Sequence, residues 1–164
     1  MTVRPILRWP DPRLSQVCAP VDTVTDAVRS LAADMLETMY AAPGRGLAAP
    51  QVGVLLRLFV MDPTWREGDP RPLVVLNPSL SSEGDELLTN AEGCLSLPGI
   101  LAEVTRPAAV RMRWTGLDGA PHEARFTGFG AICVQHEADH LDGVVTLDHL
   151  TAATRSRLEA EYSA

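Results

Sequence analysis

A chain of 164 residues, 46% of them hydrophobic, can bury one proper core, and it reads as a single domain spanning residues 1–164. With 14 basic against 21 acidic side chains it carries a net charge of −7 and offers no basic patch, so nucleic-acid binding through such a patch is excluded. No run approaches the roughly 18 apolar residues of a membrane span, residues 1–9 lack the apolar core of a secretion signal, and three scattered cysteines make no disulfide framework; these features describe a soluble, cytoplasmic protein with free thiols.

Pro10, Pro12 and Pro20 keep residues 5–21 extended and turning over the surface, with Cys18 as a small packing residue. Asp22 or Thr23 can cap a helix in which Val28, Leu31, Ala32, Met35 and Met39 recur at three- and four-residue steps, leaving Asp26, Arg29, Asp34 and Glu37 for the water side. That helix ends before Pro43-Gly44. The next stretch, Gly44-Arg45-Gly46-Leu47-Ala48-Ala49-Pro50-Gln51-Val52-Gly53, is small enough for its backbone to pass close to another strand or a ligand, and the Gln51 amide can donate to an oxygen that gains charge. Residues 54–61 and 73–76 are dense in Val, Leu and Phe, as buried strands are, and residues 62–72 between them form a turn. Leu87 and Leu88 lie in a short strand leading to Asn90-Ala91-Glu92-Gly93-Cys94-Leu95-Ser96-Leu97-Pro98-Gly99. Residues 110–114 alternate apolar with charged, and Leu117-Asp118-Gly119 turns a hairpin back through His122 to Phe126. A helix over 129–142, stopped by Gly143, and a weak helix over about 151–162 complete an α+β pattern with antiparallel sheet in its middle.

The chemistry lies in Gln135-His136-Glu137-Ala138-Asp139-His140. At about 100° per residue, His136 and His140 fall about 40° apart on one helix face and can grip one metal ion, with Glu137 beside it to take a proton from an activated water. Taken alone, the string equally suits an exposed polar helix.

Three motifs in order, Gly44-x-Gly46-Leu47-Ala48-Ala49-Pro50-Gln51, Glu92-Gly93-Cys94-Leu95-Ser96 and Gln135-His136-Glu137-x-Asp139-His140, resemble the signature motifs of the peptide deformylases. Pro10-Asp11-Pro12-Arg13-Leu14 and Leu147-Asp148-His149-Leu150 extend the resemblance over nearly the whole chain. It implies antiparallel sheets around a central helix that carries the histidines. It also implies Cys94, His136 and His140 as ligands of one divalent ion, iron(II) with zinc as the alternative, and Glu137 as acid and base. Cysteine ahead of the helix separates this pattern from the ordinary His-Glu-x-x-His peptidases. By the same resemblance the Leu95 N–H and the Gln51 amide steady the oxyanion, and Glu92 and Asp139 orient the ligands with Arg106 as a partner. Arg45, Gly46, Phe129, Ile132 and Cys133 would line the substrate pocket, although Cys133 also suits plain packing.

The implied reaction removes the formyl group from N-formylmethionyl nascent chains and releases formate, with ribosome contact at most transient. Arg45 departs from the family's usual apolar residue, and with Phe129 it puts the substrate preference in question. A non-catalytic or altered-specificity peptide-binding protein is the alternative.

Overall fold

The computed structural model describes residues 1–163. In chain order its elements are α1 Asp26–Ala41, β1 Gly46–Ala48, β2 Leu58–Met61, β3 Leu73–Ser82, β4 Leu87–Cys94, β5 Leu97–Pro107, β6 Ala109–Thr115, β7 Pro121–Thr127, α2 Gly128–Leu141 and α3 Ala152–Ser163, with short 3-10 turns between. Five strands form one antiparallel sheet in the order β1-β2-β3-β6-β7, and β4 pairs with β5 as a separate hairpin.

Helix α1 starts later than Asp22 or Thr23 would have it. Its cap is Thr25, in extended conformation, whose side chain accepts from the Val28 N–H at 3.3 Å. The apolar stripe faces inward as its spacing predicts, but Asp34 does not face water. It is buried, accepting from the Thr2 N–H at 2.8 Å and pairing with Arg4 at 2.9 Å, while the Thr38 hydroxyl accepts from the Arg4 N–H. These bonds fasten residues 2–4 onto the helix, a contact between distant parts of the chain that periodicity cannot register.

The sheet is longer than residues 73–76 suggest, because β3 runs on through Pro78 to Ser82. Its pairing with β6 slips between Leu76 and Ser79, where Asn77 takes φ 50° and bonds both the N–H and the carbonyl of Val21. Strand β5 had no counterpart in the sequence reading. Pro98-Gly99 punctuate its start, and the inward residues Ile100, Ala102 and Val104 alternate with exposed ones up to a buried Arg106.

Helix α2 packs against β1, β2, β6 and β7 of the larger sheet and against β5 of the hairpin, so it runs between the two. Ala131, Val134, Ala138 and Leu141 meet Phe59, Met61, Val75 and Met112 in one core cluster. Each fully buried large side chain there contributes about 1.5–3 kcal/mol. The end of α2 is clamped. Leu141's carbonyl accepts from the Cys18 N–H at 2.9 Å and from Arg57 at 3.0 Å. Gly143 follows at φ 75°, where a Cβ would lie 2.7 Å from the Ser15 carbonyl carbon. Helix α3 adds Leu158 to a separate cluster with Leu14, Leu97, Ile100 and Leu147.

Candidate active site

Two elements meet at the site. On α2, His136 and His140 stand one turn apart with ring centroids 5.0 Å from each other and planes at 72°. From the other side comes Cys94, the last residue of β4, pairing with Leu97 so that Leu95 and Ser96 form the hairpin turn. Its Sγ is 3.5 Å from His140 Nε2, and the donor atoms of Cys94, His136 and His140 all lie within 4.8 Å of one another.

The surroundings set the state of each group. His136 Nδ1 faces Glu92 Oε1 at 2.9 Å. An ionised carboxylate only accepts, so this nitrogen carries hydrogen and Nε2 is left for the site. Glu92 is itself gripped by Arg106 through Nε at 2.7 Å and Nη2 at 3.0 Å, and Arg106 Nη1 reaches Asp139 at 2.9 Å. Burial works against the Glu92 charge, but His136 and Arg106 outweigh it and hold the carboxyl below its ordinary range. Burial likewise pushes the Cys94 thiol up, yet the neighbouring His140 and His136 bring it well below the usual thiol value. For His136 the contacts with Cys94 and Glu92 overcome burial and raise the ring well above the ordinary imidazole value. Glu137 is pushed up, chiefly by burial.

Two buried polar atoms here have no hydrogen-bond partner among the described residues, Glu137 Oε2 and His140 Nδ1. Leaving such an atom unpaired costs about 1–3 kcal/mol, so Glu137 Oε2 is left to pair with what binds beside the donors, whereas His140 Nδ1 lies on the ring edge away from the Nε2 that faces Cys94. A thiol held toward thiolate and two imidazoles form a donor set suited to a zinc- or iron-like ion, and three protein ligands leave a further position open. The residues present fit such an ion.

A cleft of ≈ 660 Å³ opens onto these groups. Arg45, Gly46, Gln51, Cys94, Leu95, Phe129, Ile132, Cys133, His136 and Glu137 line it. Of the residues expected from sequence as ligands, catalytic groups or pocket wall, only His140 does not, lying behind the others at 1% exposure, and the expected orienting pair Asp139 and Arg106 also lies outside the cleft. Gln51 is held by its Oε1, which accepts from the Ala48 N–H at 2.9 Å, and its Nε2 donates to Ser96 Oγ at 3.0 Å while lying 3.6 Å from Cys94 Sγ. Burial pushes the Cys133 thiol far up, so it remains a neutral packing group at the cleft wall.

The Arg45 guanidinium is pinned and not loose in water. It donates to the Pro63 carbonyl at 2.6 Å and to Glu67 at 2.6 and 3.1 Å, and its Cζ lies 5.0 Å from the Phe129 ring centroid. Sequence reasoning missed the contributors from residues 62–72 and from β5. Arg66 and Leu101 both line the cleft, but nothing in a charged, proline-rich turn or an unassigned strand marked them.

What the fold and the comparisons define first is a class, the metal-dependent hydrolases. The family model described as polypeptide deformylase matches residues 3–156. The peptide deformylase of Afipia carboxidovorans is 47% identical over 99% of this chain and 95% of its own length. Among solved structures, a peptide deformylase from Legionella pneumophila superposes with a TM-score of 0.92 at 38% identity, covering 99% of this chain and 94% of the other. One from Ehrlichia chaffeensis in complex with actinonin does so at 0.92 and 35%, covering 98% and 96%. The chain belongs to the peptide deformylase family. It is an enzyme, a hydrolase that removes the formyl group from peptides, in a family that depends on a metal ion.

Proposed function

We propose that this deformylase acts as one catalytic domain on N-formylmethionyl nascent chains, with Cys94, His136 and His140 holding a single divalent ion. The observation that carries the reading is the convergence of these three donors within 4.8 Å beside the buried, partnerless Glu137 Oε2. Held by these three residues, such an ion would supply Lewis-acid chemistry, lowering the pKa of a water toward about 7. Glu137 takes the proton of the attacking water, for which its burial and raised pKa suit it. As the water oxygen bonds to the formyl carbon, the former carbonyl oxygen becomes an anion; the Gln51 amide and the Leu95 N–H are its donors, each worth about 3 kcal/mol in the barrier. Glu137 then returns the proton to the nitrogen, the C–N bond breaks, and formate and a free amino terminus leave.

The ion is iron(II), with zinc as the alternative, since a thiolate beside two imidazoles accommodates both. Methionine sits against Gly46, Phe129, Ile132 and Cys133, with Arg45 bridging the mouth. A cytoplasmic place is consistent with the described residues, none of whose helices is long and apolar enough to cross a membrane. On α3 the cations are answered within the chain, Arg155 by Asp148 and Glu159 and Arg157 by Glu161, so this helix offers ribosomal RNA little free positive charge and contact there is transient. The test is formate release from formyl-Met-Ala-Ser by anaerobically prepared, metal-analysed protein. Formate in step with bound metal supports the reading. A metal-loaded sample that binds the peptide without releasing formate would instead favour the peptide-binding alternative.

A further inference from the structure

The charged chain behind His136 does not stop at Asp139. Asp139 Oδ2 accepts twice, from Arg106 Nη1 at 2.9 Å and from His149 Nε2 at 2.8 Å. Against a carboxylate, His149 Nε2 must be a donor in either of the forms that carry its hydrogen. Four links of 2.7 to 2.9 Å therefore join His149, 31% exposed, through Asp139, Arg106 and Glu92 to His136.

Each link fixes the next. The Arg106 fork is planar, so its grip on Glu92 has one orientation, and the bond from Nη1 to Asp139 sets the tilt of that plane. Besides Arg106, His149 alone among the described side chains bonds the Asp139 carboxylate, on that same oxygen. His149 is the last residue of the 3-10 turn Thr146–His149, which is tied down in its turn. Asp148 Oδ2 accepts from the Val145 N–H at 2.9 Å, and Asp148 Oδ1 pairs with Arg155 of α3 at 2.7 Å. The donor thus stands on an anchored support.

We propose that His149 is a positioning residue for the metal centre. By donating to Asp139 it holds the Arg106 plane, and through it Glu92, so that His136 keeps its hydrogen on Nδ1 and its Nε2 aimed at the ion. This rests on the reading of Cys94, His136 and His140 as ligands. Direct outer partners of ligands are worth about 10- to 100-fold in metal affinity or activity, and a donor three residues further out is worth less, about three- to tenfold.

The test compares zinc-loaded wild type, His149→Phe, which keeps a ring and loses the donor, and His149→Gln, which keeps an N–H. The rate of zinc loss to excess EDTA should rise about three- to tenfold in His149→Phe and stay within about twofold of wild type in His149→Gln. kcat for formyl-Met-Ala-Ser should fall in parallel while KM holds. The His136 Nδ1–H proton resonance, read in the same samples, should be sharp in wild type and His149→Gln and broadened in His149→Phe, a change that lost stability alone would not produce in a folded sample. Equal zinc loss in all three proteins, or equal acceleration in both variants, overturns the inference. If His136→Ala retains zinc as wild type does, it is the ligand reading that has failed.

Discussion

Gly46 and Glu137 face each other so closely that a Cβ on the glycine would lie 2.5 Å from Glu137 Oε1. The backbone at Gly46, the first residue of β1, is therefore the wall against which the carboxylate is held, and its pairing with Met61 of β2 keeps it there. Gly46→Ala should displace Glu137 without touching the metal donors. Overpacking of this kind costs about 1–3 kcal/mol of stability. A larger loss is expected in kcat, with metal content unchanged. Thermal unfolding, metal analysis and formate release on one preparation check all three, and an alanine variant with wild-type kcat would show that the carboxylate has room to spare.

At the cleft mouth, Arg45 lies over Phe129 and is neutralised by Glu67, whose own carboxyl it holds below the ordinary range. Arg45→Ile should give methionine an apolar wall. One or two methylene-sized contacts at about 0.8 kcal/mol each correspond to a roughly four- to fifteenfold rise in kcat/KM for formyl-Met-Ala. Because Glu67 already answers the guanidinium, the preference between formyl-Met-Asp and formyl-Met-Ala should not move by more than about twofold, less than one such contact. A selective loss on the aspartyl substrate would mean instead that Arg45 reads acidic side chains.

Asp34 ties the first residues to α1, and its carboxyl is held below the ordinary 3.8, first by the Thr2 N–H and then by Arg4. A carboxyl with a lowered folded-state pKa stabilises fully above its unfolded value and loses that contribution as pH falls through the lowered one. The Tm difference between wild type and Asp34→Asn should therefore be constant from pH 5 to 7 and shrink below about pH 4. A difference independent of pH down to 3 would mean that the charge contributes nothing.

On the proposed reading, iron(II) would sit beside the Cys94 thiolate in a site open to the cleft and be exposed to oxidation. Activity of iron-loaded protein should decay in air and persist under reductant or after nickel(II) or cobalt(II) substitution. Aerobic stability of the iron form over the same hours would contradict this.

The periodic parts of the molecule were legible from sequence. The inward stripe of α1, the β6–β7 hairpin turning at Leu117-Asp118-Gly119, and the one-face spacing of His136 and His140 all follow from local rules. Cys94, Gln51 and Leu95 were linked to them by motif resemblance alone, since no spacing rule joins a hairpin turn to a helix. What escaped was non-local or atypical. Asp34 lies inward because Thr2 and Arg4 come back to it, β5 begins with Pro98-Gly99 and ends its inward row on a charged Arg106, and the clasp of Glu67 on Arg45 crosses the chain from a loop. The motif resemblance points to Arg106 as a partner of Glu92 and Asp139. Its double grip on these acids became visible only with the fold.

Three side chains are proposed as ligands and a fourth as proton carrier, and Glu137→Gln separates the two roles. Metal per chain and formate released from formyl-Met-Ala-Ser should be measured on the same anaerobic sample of this variant. About one ion per chain is expected, as in wild type, with turnover lowered about 10²- to 10⁴-fold, the usual share of a positioned general acid and base. Retention of more than a few per cent of wild-type formate release, or loss of the metal along with the activity, would contradict this assignment of roles.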